Sequence, residues 1–205
     1  IQLININFNI FIRTLFLTFS FLWINYLGAK LGEDYLAVNT ILMQFIIMAA
    51  FFLDAYAFST EGIVGFTIGR KNKKSFLLVV KNSIVMSFFT SIIISLIFLI
   101  FYKQIISIIT NIDILRFISY KHFFWIVIIP PVASFCYQLD GIFIGASQTK
   151  EMRNAMIISV ASFIVISIYL TKHFGNHGLW FSLLLFMALR SITLNFFFSK
   201  ILKKF

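Results

Sequence analysis

The stretch YQLDGIFIGASQTKEMRNA, residues 137–155, places a carboxylate, Asp140, within an otherwise apolar run that ends at Lys150, Glu151 and Arg153. An apolar run bounded by charged residues is typical of a helix that crosses a lipid bilayer. An acid near the centre of such a helix costs at least about 2.5 to 3.5 kcal/mol, so it is retained where it faces a partner or water. The stretch therefore predicts a membrane helix with a candidate functional carboxylate.

The whole composition agrees with a membrane protein. Hydrophobic residues make up 60% of the 205 residues and charged residues 12%, and the mean hydropathy is +0.98. No ten-residue alternation of the kind that outer-membrane strands need is apparent, so the sequence predicts an all-α integral membrane fold. The net charge of +10 falls in short clusters between apolar runs, which indicates topology signals rather than nucleic-acid binding.

Six apolar segments are each long enough for one transmembrane helix. They cover approximately residues 8–30, 36–69, 80–102, 122–147, 154–172 and 178–199. Residues 104–121 have helical spacing with polar interruptions, so we expect a connector at the outer interface.

Lysine and arginine are distributed unequally between the two ends of these segments. One side carries ten, in residues 70–81, 148–153 and 200–204, whereas the other side carries five. By the positive-inside rule, the side with ten is cytoplasmic, and both ends of this chain face the cytoplasm.

Five ionisable residues remain inside the predicted helices: Arg13, Asp54, Glu61, Asp140 and Arg190. Counted from the cytoplasmic ends at 1.5 Å per residue, all except Asp54 fall into one layer, with Asp54 about 10 Å deeper than Glu61. The three acids, Asp54, Asp140 and Glu61, are the candidates for coupling to a proton or a cation. Arg13 and Arg190 are each expected to neutralise Glu61 or Asp140, which leaves Asp54 as the unmatched carboxylate and the first choice. The alternative is that these charges only hold the helices together.

Other residues indicate close helix packing around a cavity. Two small-xxx-small pairs, Gly65 with Gly69 and Gly141 with Gly145, would let helices approach closely. Pro130 and Pro131 remove two backbone donors and predict a kink. The candidates for lining a cavity are Asn39, Gln44 and Tyr137. The three histidines and the lone Cys136 show no HExxH or CxxC context, so no metal site and no enzyme is expected.

Three stretches resemble the multidrug and toxic compound extrusion (MATE) transporters, in particular the DinF-like branch. They are LGEDYLAVNTILMQF (31–45), FFLDAYAFSTEGIVGFTIGRKNKKSF (51–76) and YQLDGIFIGASQTKEMRNAM (137–156). The resemblance implies that residues 1–205 are the C-terminal six-helix lobe of a two-lobe transporter whose N-terminal lobe is missing. A first residue that is not Met also suggests a fragment.

The resemblance also implies a function and a site. Asp140 falls on the family's cation-site acid of the tenth helix, whereas the acid that sodium-coupled NorM-like members use in the seventh helix is absent from residues 8–30. Efflux of hydrophobic or cationic drugs in exchange for protons is therefore favoured over exchange for sodium, without a cofactor. Its partners would be that small-molecule substrate, the missing lobe and the lipid of a bacterial cytoplasmic (inner) membrane.

Two alternatives remain open at the level of sequence. One is a lipid-linked saccharide flippase of the same superfamily, against which three acids facing two arginines argue mildly. The other is a membrane assembly subunit that transports nothing.

Overall fold

The chain folds into a bundle of long antiparallel helices. In the computed structural model, which describes residues 2–205, the helices are α1 Gln2–Leu31, α2 Glu33–Gly69, α3 Lys73–Ile109, α4 Asp113–Gly145 and α5 Thr149–Leu202. All five are long and apolar enough to cross a membrane. The all-helical membrane fold expected from composition is therefore confirmed for the described residues.

Helix α5 reverses its direction at Gly175. The backbone there has φ 57° and ψ −138°, a conformation that glycine adopts without a Cβ penalty. In a straight helix Glu151 and Lys200 would be separated by roughly 70 Å, yet the Lys200 ammonium lies 3.0 Å from the Glu151 carboxylate. The two arms of α5 therefore lie antiparallel to each other. They contain the two apolar segments predicted at 154–172 and 178–199.

The helices extend beyond most of the predicted apolar segments. Helix α3 covers 73–109 instead of 80–102, and α4 begins at Asp113 instead of residue 122. The expected connector at 104–121 is reduced to residues 110–112, where the Arg116 guanidinium donates to the carbonyl oxygens of Thr110 at 2.8 Å and Ser107 at 3.1 Å. Hydropathy indicates only the part of a helix that lipid surrounds, whereas backbone hydrogen bonding continues into the polar interface.

Helix α4 is at the centre of the bundle and packs against α2, α3 and α5. It is the most buried of the candidate spans, whereas α1 is the least buried. The helix continues through Pro130 and Pro131, and the Ser134 hydroxyl donates to the Pro131 carbonyl oxygen at 2.8 Å. The kink at these prolines stays a prediction.

Glycines set the distance between α2 and α4. A Cβ added at Gly141 would overlap the carbonyl oxygen of Ala57, and one added at Gly145 would overlap that of Glu61. A Cβ added at Gly65 would lie 3.5 Å from the carbonyl oxygen of Gly145. Three of the four predicted packing glycines thus meet at one helix crossing.

Gly69 does not take part in this crossing. A Cβ there would meet nothing within 4 Å, because the residue is the last of α2 and lies at its exposed end. The close contact expected of Gly69 is therefore not formed.

Alanine at either buried glycine should destabilise the bundle. In Gly141→Ala or Gly145→Ala, the new Cβ forces α2 away from α4, and such overpacking costs about 1 to 3 kcal/mol. We expect a clear fall in the thermal unfolding midpoint of the purified protein in detergent. Gly69→Ala makes the same chemical change in open space and should leave the midpoint unchanged. Equal midpoints for all three variants would contradict the close crossing.

Candidate functional site

Two arginines from different helices bind the same carboxylate. The Arg190 guanidinium on α5 lies 2.6 Å from Oδ2 of Asp140 on α4, and the Arg13 guanidinium on α1 pairs with that same oxygen. The structure thus brings together three of the five predicted intramembrane charges, and we call Arg13, Asp140 and Arg190 the charge cluster. It contains two positive charges and one negative charge.

The two arginines differ in their surroundings. Arg190 is 2% exposed, and its guanidinium lies 3.6 Å from the Met187 sulfur and 5.6 and 5.9 Å from the ring centres of Phe186 and Tyr137. Sulfur and aromatic faces are favourable but weak neighbours for a cation, so Asp140 is the main compensation for its charge. The Arg13 side chain is 17% exposed, because α1 packs at the edge of the bundle.

A cavity of about 220 Å³ lies beside the charge cluster, between α1, α2 and α4. Its polar lining comes from Arg13, Asp54 and Tyr137. The remaining lining is apolar: Leu17, Phe21, Ile46, Ile47, Ala50 and Phe51. The Asp54 carboxylate is partly buried and has no cation within 4 Å among residues 2–205.

Glu61 stands apart from this site. Its expected pairing with Arg13 or Arg190 is not formed in the described part of the chain, because both guanidiniums go to Asp140. Its backbone instead contacts Gly145 at the helix crossing. The layer of four charges expected from residue counting is therefore a cluster of three, with Asp54 as the nearest further acid across the cavity.

The three residues predicted to line a cavity have three different environments. Tyr137 lines the cavity beside Asp54, whereas Gln44 is exposed on the bundle surface. Asn39 is fully buried, accepts a hydrogen bond from the Trp180 indole at 2.9 Å and donates one to Asn176 at 2.8 Å. Asn39 thus ties α2 to the second arm of α5, just beyond the reversal at Gly175.

Several buried polar contacts could not be found from the sequence. The Thr60 hydroxyl donates to the fully buried Gln138 at 3.0 Å. His122 is 5% exposed and stacks on His177 with ring centres 4.3 Å apart. The partners in these pairs are 78 and 55 residues apart in the sequence, so the contacts depend on how each helix is rotated about its axis, and no sequence motif predicts them. The sequence marks the positions only because amides and histidines are rare within apolar helices.

Comparison with known proteins identifies the family. A family model described as MatE matches residues 10–171, a range that contains Arg13, Asp54 and Asp140. The chain belongs to the MATE family. It is 34% identical over 193 residues to the DNA damage-inducible protein F of Escherichia coli strain K12, an alignment that covers 94% of this chain and 42% of that protein.

Solved MATE structures share the fold. The chain superposes with TM-score 0.85 on a structure described as the outward-facing conformation of a multidrug resistance MATE family transporter of the MOP superfamily, at 17% identity. It superposes equally well, also at 17% identity, on a MOP superfamily transporter from Pyrococcus furiosus whose binding pocket is described as having reverse polarity. Each match covers 96% of this chain and 44% of the other. The chain thus spans less than half the length of these relatives.

Family membership determines the class of site. MATE proteins are multi-pass membrane transporters and not enzymes, so the charge cluster and its cavity are not interpreted as an active site. Among residues 2–205, no group of three His, Cys, Asp or Glu side chains is placed to hold a metal ion.

Removing the carboxylate of the charge cluster should damage folding. Asp140→Asn leaves two guanidiniums without a counter-charge, and breaking a buried ion pair in this way costs about 3 to 5 kcal/mol. We expect a large loss of monodisperse protein in detergent and a lower unfolding midpoint. Arg13→Gln should cost less, because Asp140 keeps Arg190. Wild-type stability of Asp140→Asn would contradict the role of Asp140 as the shared counter-ion.

The environments of Asn39 and Gln44 also predict different effects on stability. Asn39→Leu leaves Trp180 and Asn176 without their partners, and each unsatisfied buried group costs about 1 to 3 kcal/mol. Gln44→Leu, on the same helix, changes an exposed surface and should stay within about 0.5 kcal/mol of the wild type. Thermal unfolding in detergent compares the two variants; an equal shift for both would show that Asn39 does not hold the helices together.

Proposed function

We propose that the chain is the C-terminal lobe of a two-lobe secondary transporter that exports hydrophobic cations in exchange for protons. When the two arms of α5 are counted separately, the lobe has six membrane passes, which leaves both chain ends on one side. The ten lysines and arginines on that side support a cytoplasmic location for it by the positive-inside rule, and we propose a bacterial inner membrane as the bilayer.

Asp54 is the proposed exchange site. The observation that carries this proposal is that Asp54 lines the cavity without an ion-pair partner among the described residues, whereas Asp140 is engaged by two guanidiniums. A carboxylate with apolar neighbours and no counter-ion gains most from binding a proton or an organic cation. The aromatic and aliphatic walls of the cavity fit the apolar body of such a cation.

Asp140 is proposed to have a different role. Both guanidiniums of the charge cluster are bound to it, and breaking a buried ion pair by removing one partner costs about 3 to 5 kcal/mol. We therefore propose Asp140 as the structural counter-ion of the cluster rather than as the exchange site. This assignment differs from the one that the family resemblance implies, in which Asp140 itself binds the coupling ion.

Protons are favoured over sodium by the ligands available. Hard cations such as Na⁺ are held by several oxygen ligands at once, while among the described residues the side-chain oxygens of this cavity's lining come from Asp54 and Tyr137. A proton needs only the one carboxylate. A lipid-linked saccharide flippase would need cationic groups for a phosphate, of which the cavity offers Arg13 alone.

Efflux by the full-length protein in a drug-sensitive bacterial host tests the proposal. Asp54→Asn should abolish resistance to hydrophobic cations at expression equal to the wild type, because the amide binds neither a proton nor a counter-charge. Glu61→Gln makes the same change two helical turns along α2, outside the cavity, and should retain most of the resistance.

Vesicles with an imposed pH or sodium gradient distinguish the coupling ion. Collapse of the pH gradient should stop uptake into inverted vesicles, and removal of sodium should not. Wild-type efflux by Asp54→Asn would refute the exchange site, and dependence on sodium alone would refute proton coupling. A wild-type protein that moves no compound would instead support a subunit that does not transport.

A further inference from the structure

We infer that this cavity also recognises an anionic group on its ligand, through Arg13, so that the preferred substrates are amphipathic zwitterions rather than simple cations. The inference rests on the proposed function and names the substrate class of the same cavity. It predicts a specificity-determining residue on α1, the helix on which no acidic side chain occurs.

The positive and negative charges within the charge cluster are unequal in number. Both guanidiniums of the charge cluster use a single oxygen, Oδ2 of Asp140, so two positive charges share one negative charge. One arginine is enough to neutralise one carboxylate, and a second buried arginine costs desolvation without a counter-charge of its own. The cluster taken alone therefore carries one surplus positive charge, and the nearest further carboxylate, that of Asp54, lies more than 4 Å from either guanidinium.

The two arginines of the charge cluster differ in how accessible they are to a ligand. Arg190 is enclosed by protein, 2% exposed, and bonded to Asp140 at 2.6 Å. Arg13 keeps 17% of its side chain exposed and lines the cavity. Its buried Nε has no hydrogen-bond partner in the described part of the chain. The guanidinium accessible to a ligand is therefore that of Arg13.

The same cavity also contains an acidic side chain, that of Asp54. Asp54 and Arg13 both line it, yet their charged atoms are more than 4 Å apart, since no ion pair joins them. The cavity thus presents a cation-binding point and an anion-binding point that are not joined in an ion pair, with apolar walls between and around them. The complementary ligand has an apolar body, a positive group and a carboxylate or similar anion.

Two dyes that differ by one carboxylate provide the test. Rhodamine B carries a cationic xanthene and a free carboxylate, whereas its ethyl ester carries only the cation. Binding of each to the purified full-length protein in detergent is measured by fluorescence polarisation, and the readout is the ratio of the two dissociation constants. We expect the wild type to bind rhodamine B more tightly than the ester.

Variants at the two charged points should act differently on this ratio. Arg13→Gln should shift the ratio toward the ester by about tenfold, the usual effect of losing one charge-assisted hydrogen bond, and Arg13→Lys should restore part of the shift. Asp54→Asn should weaken the binding of both dyes, since both carry the cation, but rhodamine B less than the ester, because its carboxylate no longer faces the Asp54 charge. Arg70→Gln, which removes an exposed arginine at the end of α2, should leave the ratio at its wild-type value.

The outcomes separate this inference from the function on which it rests. If both dyes bind and Arg13→Gln leaves the ratio unchanged while the variant unfolds at a temperature near that of the wild type, Arg13 does not read an anion and the inference is wrong. Binding of rhodamine B that survives Asp54→Asn in full would mean that only the anion is recognised, which overturns the zwitterion. If the wild type binds neither dye, the proposed function fails and the inference falls with it.

Discussion

The ion cluster of Asp140 with two arginines is the constraint on which the rest of the structure depends. Asp140 is on α4, Arg13 on α1 and Arg190 on α5, so three helices must meet at one depth or leave charges in lipid. Helix α2 joins this arrangement through its backbone, because Gly141 and Gly145 admit it at van der Waals distance. The glycines and the acid are on the same two turns of α4, so close packing and charge pairing are satisfied by one segment.

This arrangement leaves Asp54 without an ion-pair partner among residues 2–205, which is why we propose it as the exchange site. The Asp54 carboxylate would be neutralised if the Arg13 or the Arg190 guanidinium paired with it, but both guanidiniums are bound to Asp140. The cavity between α1, α2 and α4 then has an acid with no ion-pair partner among residues 2–205 and walls that are mainly apolar. In such surroundings an electrostatic interaction is stronger than in water, so occupancy of one carboxylate can change the relative energies of two arrangements of the lobe.

The sequence alone predicts the membrane class, the helical fold, the charged residues that matter and three of the four packing glycines, because each depends on hydropathy or short spacing. It does not predict which acid each arginine binds. Counting residues gives the depth of Glu61 and Asp140 but not the rotation of their helices about their axes, and that rotation decides the pairing. The same limit applies to Asn39, whose partners Asn176 and Trp180 are reached only after α5 has reversed at Gly175.

Under the proposed function, the charge count also bears on how protons and substrates would compete for the cavity. With Asp54 ionised, two arginines face two aspartates and the cavity region is neutral; with Asp54 protonated, it carries one positive charge. An organic cation is therefore favoured by the ionised state and repelled by the protonated one, which is the requirement for exchange rather than joint transport. An anionic group on the ligand has the opposite preference, since it is attracted most when Asp54 is neutral. A zwitterion feels both effects, so its binding should depend less on the protonation of Asp54 than that of a cation of the same size.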